Sequence, residues 1–306
     1  MKNPALLFLI GLLGGSVIVF VYFLGNVVRD TTDLQFILTI VLFSIAIPFL
    51  FALTRDNLFT PTTFGISVLG LPYSGKTVYL TVLFNLLATM ASSKIVFTPY
   101  GISTVEQVTK DINNMIRGFW PPPTLPGTVF FYRATATFVA GFFKRRFKIE
   151  VGDFAGENLD KATENDLDWL HDTEYFPYVI QSDAVILAVD SFDISKNIKN
   201  SADIIENKMI AAFEMILEGK KLDIGEKLKA PVALTFLKAD TVPLEKRKGV
   251  EESMERLITF CKTRSRKFKI FWVTSVGKVK SDGSPPEAMK PEGVIDPIVW
   301  LLSLAK

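Results

Sequence analysis

The sequence predicts an α/β domain with a mostly parallel sheet covered by helices on both faces, preceded by two membrane-spanning helices. Three observations carry that reading. Short apolar runs alternate with helix-length stretches from about residue 60 onward, and such alternation implies a parallel sheet. One run, 184–189 (AVILAV), is continuously apolar, as strands buried on both faces are, and 231–237 (PVALTFL) reads as a further buried strand. Two uncharged apolar segments, 4–28 and 34–53, stand before all of this.

Each segment is long enough to span a bilayer, which takes about 20 apolar residues. The first is too long for the core of a signal peptide, and no small-x-small cleavage site follows it. Its faces are all apolar, which argues against a hairpin in a protein core. The link Arg29-Asp30-Thr31-Thr32-Asp33 is short, so the spans form a hairpin with both ends on one side. Lys2 and Arg55 flank that side, and the positive-inside bias places the body in the cytoplasm. The expected domains are a hairpin over 1–55, with the lipid bilayer as partner, and a globular body over 60–306. Gly11, Gly14 and Gly15 are read as ordinary membrane glycines.

Within the body, 63–70 reads as a buried strand and 78–91 as the helix after it. Residues 130–139 and 143–151 read as paired strands, with Lys144-Arg145-Arg146 near their turn. Strand 184–189 precedes a long helix over 194–218. Strand 231–237, a helix over 251–261, strand 269–274 and a closing amphipathic helix over 294–304 complete the order. Residues 120–127 (WPPPTLPG) and 280–293 (KSDGSPPEAMKPEG) read as loops, since Pro and Gly punctuate regular structure.

Composition excludes several functions. Of 306 residues, 49% are apolar and 26 are Phe, which fits a membrane segment joined to a globular domain. The formal net charge is only +2, so no nucleic-acid partner is implied. The single cysteine, Cys261, permits no intrachain disulfide. The single histidine, His171, argues against a histidine-rich metal site or a Ser-His-Asp triad.

Gly70-Leu71-Pro72-Tyr73-Ser74-Gly75-Lys76-Thr77 matches G-x-x-x-x-G-K-[ST] in full. The glycines let backbone amides wrap a phosphate closely. The helix that follows aims its N-terminal dipole at the anion. Lys76 is expected to neutralise β- and γ-phosphates, and the Thr77 hydroxyl to ligate Mg²⁺. Pro72, Tyr73, Ser74, Gly75 and Val78 complete the expected nucleotide contacts. The match follows a predicted strand and opens a predicted helix, as the motif requires.

Phe236-Leu237-Lys238-Ala239-Asp240 ends the strand over 231–237 and resembles the [NT]-K-x-D guanine motif of the Ras-like GTPase superfamily. The resemblance implies that Asp240 accepts from guanine N1 and its 2-amino group, and that the Lys238 stem covers the base. Adenine lacks those donors, so Asp240 would reject ATP. Leu237 stands where the family has Asn or Thr. Val151-Gly152-Asp153-Phe154-Ala155-Gly156-Glu157 resembles the D-x-x-G switch motif, with Asp153 toward Mg²⁺ and the Gly156 amide toward the γ-phosphate. Glu157 takes the place of the family's water-orienting Gln. A carboxylate cannot donate as an amide does, so hydrolysis is expected to be slow or to use another residue. The switch threonine is Thr124 or Thr128, with Thr124 favoured in its stiff proline loop. Val273-Thr274-Ser275-Val276-Gly277 resembles the S-A-K loop, with Ser275 and Val276 toward the base and the lysine displaced to Lys278.

Four motif elements thus stand in order at strand ends, and the resemblance to the P-loop GTPase superfamily covers roughly 63–306. Residues 182–191 resemble the corresponding strand of Arf proteins and of the signal recognition particle receptor β-subunit. The W-P-x-x-T tract and the D-P-I-V-W-L-L helix resemble prokaryotic double-GTPase family members. The span from Lys76 to Asp153 is longer than in small Ras-like proteins, and the extra length falls in a helix after Ser103 and the hairpin near Lys144.

The expectation is a membrane-anchored GTP/GDP switch with Mg²⁺, whose candidate catalytic residues are Lys76, Thr124 and Glu157 and whose switch loops a protein effector or regulator reads. Glu157 and Leu237 favour an alternative, a membrane-tethered assembly module that binds GTP and hydrolyses little. A P-loop ATPase is the third reading; Lys238 and Asp240 oppose it. His171, the basic run of Lys262, Arg264, Arg266, Lys267 and Lys269, and Cys261 read as residues without chemistry.

Overall fold

The computed structural model describes residues 62–89, 95–124, 129–140, 143–154, 175–196 and 200–305. All of these belong to one unit, Asp56–Lys306, distinct from Met1–Arg55. The predicted spans 4–28 and 34–53, and with them the hairpin, lie outside the described residues. No helix among the described residues is long and apolar enough to cross a membrane.

Seven strands form one sheet among the described residues, in the order β2-β3-β4-β1-β5-β6-β7. They are β1 (Thr62–Leu69), β2 (Ile95–Pro99), β3 (Val129–Ala140), β4 (Phe143–Phe154), β5 (Ala184–Asp190), β6 (Val232–Leu237) and β7 (Phe268–Val273). β3 runs antiparallel to both β2 and β4. The β4-β1, β1-β5, β5-β6 and β6-β7 pairs are parallel. The sheet is therefore mostly parallel, as predicted.

The helices are α1 (Lys76–Thr89), α2 (Ile102–Ile116), α3 (Tyr175–Gln181), α4 (Ser191–Lys196), α5 (Asn200–Gly219), α6 (Leu244–Ser253), α7 (Glu255–Arg264) and α8 (Asp296–Ser303). They cover both faces, and the strand alternation says why. Ala184, Ile186 and Ala188 of β5 enter one core with α1, α2 and α8, while Val185, Leu187 and Val189 enter the other with α5, α6 and α7. Residues i and i+2 of a strand share a face, so a strand buried on both sides must be apolar throughout. Every residue of β5 and of β6 is buried.

Several predicted boundaries move. The described parts of the predicted helix over 194–218 are helical in α4 and α5, and residues 197–199 between them lie outside the described residues. The predicted helix over 251–261 is two helices, α6 and α7, because the chain leaves helical geometry at the fully buried Met254 (φ −111°). The edge strand β2 and helix α3 were not predicted: β2 is only five residues long and opens directly into α2 through Gly101 (φ 88°). The stretch between Lys76 and Asp153 contains α1, β2, α2 and the β3-β4 ribbon.

Glu206 of α5, buried at 2% exposure, joins the second helical layer. One of its oxygens accepts from the Leu257 backbone N–H at 2.9 Å in the first turn of α7, and the other lies 3.5 Å from Arg256. Glu206→Ala strands that buried donor, which costs about 1–3 kcal/mol. Denaturant unfolding is expected to show that loss; an unchanged midpoint would contradict it.

Candidate functional site

The chain passes from β1 to α1 at the centre of the sheet. β1 lies between β4 and β5, and the following connections leave it in opposite directions, α1 towards β2 and β5 towards β6. In open α/β sheets such a reversal opens a crevice at the carboxyl ends of the strands. Gly70 follows β1, Asp153 lies near the end of β4, Asp190 ends β5, and Lys238 follows β6. All four therefore stand at one edge of the sheet.

The Gly70–Thr77 loop is fixed by close backbone approach. A Cβ on Gly70 would lie 2.4 Å from the Ala188 carbonyl oxygen, so glycine alone fits. Gly75 has φ 92° and Tyr73 has φ 58°, both left-handed. Lys76, only 6% exposed, turns its ammonium back into the loop. It donates to the Gly70 carbonyl at 2.7 Å and to the Leu71 carbonyl at 2.8 Å, with the Ser74 hydroxyl at 3.4 Å.

Thr77, the residue after Lys76, meets Thr124 and Asp153. The Thr77 hydroxyl donates to Asp153 Oδ2 at 2.9 Å and the Thr124 hydroxyl does so at 3.2 Å. The two hydroxyls are 3.3 Å apart. Asp153 is 1% exposed, and its Oδ1 is buried with no hydrogen-bond partner. Burial holds its carboxyl above the usual carboxylate range, against the opposing pull of Lys76, Thr77 and Thr124. An orphaned carboxylate oxygen beside two hydroxyls is an all-oxygen donor set, which suits a hard divalent cation. Among the described residues no group of three His, Cys, Asp or Glu side chains could hold a metal, so a cation here would also need oxygens from its ligand. Thr128, Gly156, Glu157 and His171 lie outside the described residues.

The third part of the edge is built around Lys238, itself left-handed at φ 59°. Its ammonium donates to the Tyr73 carbonyl at 3.1 Å and pairs with Asp190. Its Cε would lie 3.6 Å from a Cβ on Gly75, so the stem passes over the glycine loop. Asp190 also caps α4: Oδ1 accepts from Phe192 N at 2.9 Å and Asp193 N at 3.4 Å. Ser191 donates to the Leu237 carbonyl at 2.6 Å. The sequence reading placed no site role on Asp190 or Ser191. Their signal was a polar pair closing a continuously apolar strand. In this chain they tie the β6 loop in place, where Leu237 offers no side-chain hydrogen bond.

Residues from each of these parts line one cavity of about 590 Å³, although Asp153, Asp190 and Ser191 are not among them. Its wall takes in Pro72 through Val78, Lys238, Asp240, Ser275, Val276 and the tract from Trp120 to Thr124. Gly70 lies beneath the loop rather than in the wall, and Lys278 does not line the cavity. Asp240 is exposed and stands in the 3₁₀ turn Ala239–Thr241; desolvation raises its carboxyl above the usual value. Trp120 donates its indole N–H to the Gly283 carbonyl at 2.9 Å, joining the proline tract to the 280–293 loop across the mouth. Phe192 and Leu237 add apolar wall that the sequence reading did not assign.

One end of the cavity is suited to an anion. The loop amides, the α1 N-terminus and Lys76 favour the anion; Lys238, Asp240 and Ser275 bound the other end. No protein-family model and no curated protein matches the chain.

Asp190→Ala is expected to remove the α4 cap and release Lys238, costing about 1–2 kcal/mol of stability. Thermal or denaturant unfolding measures it. Full wild-type stability would mean that Asp190 does not hold the β6 loop.

Proposed function

We propose that this chain is a P-loop guanine-nucleotide-binding protein, held at a membrane by the 4–28 and 34–53 hairpin, that switches between GTP and GDP states and hydrolyses GTP slowly. The single observation that carries the reading is the shared cavity: Pro72 to Val78 of a complete G-x-x-x-x-G-K-T loop, Thr124, and Lys238 with Asp240 border the same space, and Thr77 and Thr124 are both hydrogen-bonded to Asp153.

Each residue has a part in this reading. Lys76 exchanges the Gly70 and Leu71 carbonyls for β- and γ-phosphate oxygens. Thr77 and Asp153 hold Mg²⁺, with Asp153 Oδ1 as its uncommitted donor, and Thr124 closes on the same site. Bound Mg²⁺ neutralises charge on the phosphate oxygens. Asp240 accepts from the guanine edge, and the Lys238 stem covers one face of the base. Glu157 follows Gly156, where a glutamine amide would orient water; its carboxylate cannot donate, which supports slow turnover. A partner would read the Trp120–Thr124 tract, whose order depends on Thr124.

Titration of the protein with fluorescent GTP, GDP and ATP in Mg²⁺ tests the guanine assignment, and phosphate release tests the turnover. ATP binding as tight as GTP would overturn the base assignment. GTP binding with no release would instead favour the assembly module, which Leu237 and Glu157 also suit. Asp240→Asn is expected to weaken GTP at least about a hundredfold by stranding donors of the base. The same variant gains for xanthosine triphosphate, because an amide can donate to the 2-oxo group.

Asp153→Asn separates fold from ligand. A buried carboxyl with a raised value loses stability as pH rises through that value, because ionisation is resisted only in the folded state. The neutral variant lacks that loss, so at neutral pH the ligand-free protein should be at least as stable as wild type. The added thermal stability from Mg²⁺ and GTP should vanish. Retained stabilisation would remove Asp153 from the cation site.

A further inference from the structure

Helix α2 carries a stripe of exposed apolar residues. The side of α2 that faces the core is formed by Thr104, Val108, Asp111 and Met115. A second row runs Ile102, Val105, Thr109, Ile112, Ile116 and Phe119. Ile102 is 77% exposed, Val105 50%, Ile116 58% and Phe119 68%. Ile112 is half-buried at the edge of the core. The steps along this row alternate between three and four residues, the spacing of a coiled-coil seam.

The end of the row is held by backbone. Gly118 (φ 88°) terminates the helix, the Gly118 N–H donates to the Met115 carbonyl at 3.0 Å, and the Phe119 N–H donates to the Asn114 carbonyl at 2.9 Å. That pair of bonds is the Schellman cap. Phe119 is thus fixed just past the last turn.

We infer that a second copy of this chain covers the stripe, α2 packing antiparallel on α2 across a two-fold axis near Lys110 and Asp111. A two-fold contact needs a patch that is its own complement, and the row is one. Antiparallel pairing sets Ile102 against the partner's Phe119, Val105 against the partner's Ile116, and Thr109 against the partner's Ile112. It also brings Glu106, beside the stripe, near the height of the partner's Arg117, so opposite charges flank the seam twice. A bilayer is the weaker occupant, because a helix lying in a membrane surface presents a broad apolar face, and here Glu106, Lys110, Asn113 and Arg117 border a narrow row. The contact ends at Phe119, next to Trp120, so pairing would sit beside the candidate site in each copy.

The full chain in nanodiscs tests this by cysteine crosslinking, since Cys261 is the only native cysteine and is buried. Thr109→Cys lies near the axis and is expected to give a disulfide-linked dimer, several-fold more than Glu214→Cys on α5. Adding Ile102→Glu and Ile116→Glu buries unpaired charge in the seam and should weaken self-association at least about tenfold, bringing the crosslink down to the Glu214→Cys level. Both positions are exposed, so unchanged melting of the double variant shows that the fold is intact. Thr109→Cys crosslinking no better than Glu214→Cys, or crosslinking that survives the two glutamates, would overturn the inference. A fluorophore on Thr109→Cys quenched by brominated lipid, without crosslinking, would overturn it as well and give the stripe to the bilayer.

Discussion

The buried ammonium of Lys76 is the group around which the carboxyl edge of the sheet is arranged. A charge at 6% exposure is tolerated only where dipoles or opposite charges replace its water. Here the carbonyls of Gly70 and Leu71 supply that, and they can do so only because the chain turns back sharply between β1 and α1. Gly70 permits the turn by approaching the Ala188 carbonyl without a side chain. The same turn exposes the first amides of α1 and places Thr77 against Asp153. Loop, helix start and cation donors therefore follow from one backbone path between two central strands.

The second constraint is the strand order. With β1 between β4 and β5, the loops that follow β1, β5 and β6 open on one crevice, and the Lys238–Asp190 pair bridges it to the Tyr73 carbonyl. The Trp120–Thr124 tract reaches across from α2, held by Gly283 at one end and Asp153 at the other. Three prolines leave little slack between those ends.

What was legible in the sequence was what has a short-range signature. The apolar runs of β5 and β6 reappear in the parallel core of the sheet, and most of the glycine loop in the wall of one cavity. Thr124, chosen from two threonines for its stiff loop, does meet Thr77 and Asp153. The unread parts depend on tertiary context. β2 is a short edge strand whose partner is far away in β3. The break at Met254 carries no proline. Asp190 gained its role from Lys238, 48 residues on, a pairing that no local pattern reveals. Lys278 is not in the wall, although its neighbours Gly277 and Val279 are.

The central claim is that four separated segments close on one guanine nucleotide. Hydrogen–deuterium exchange of the full protein, with and without Mg²⁺ and GTP, tests it most directly. The account predicts simultaneous protection of the 70–78 loop, the 120–124 tract, the 238–241 turn and the 275–277 turn, with ATP failing to protect the last two. Protection confined to 70–78, or equal with ATP, would contradict it.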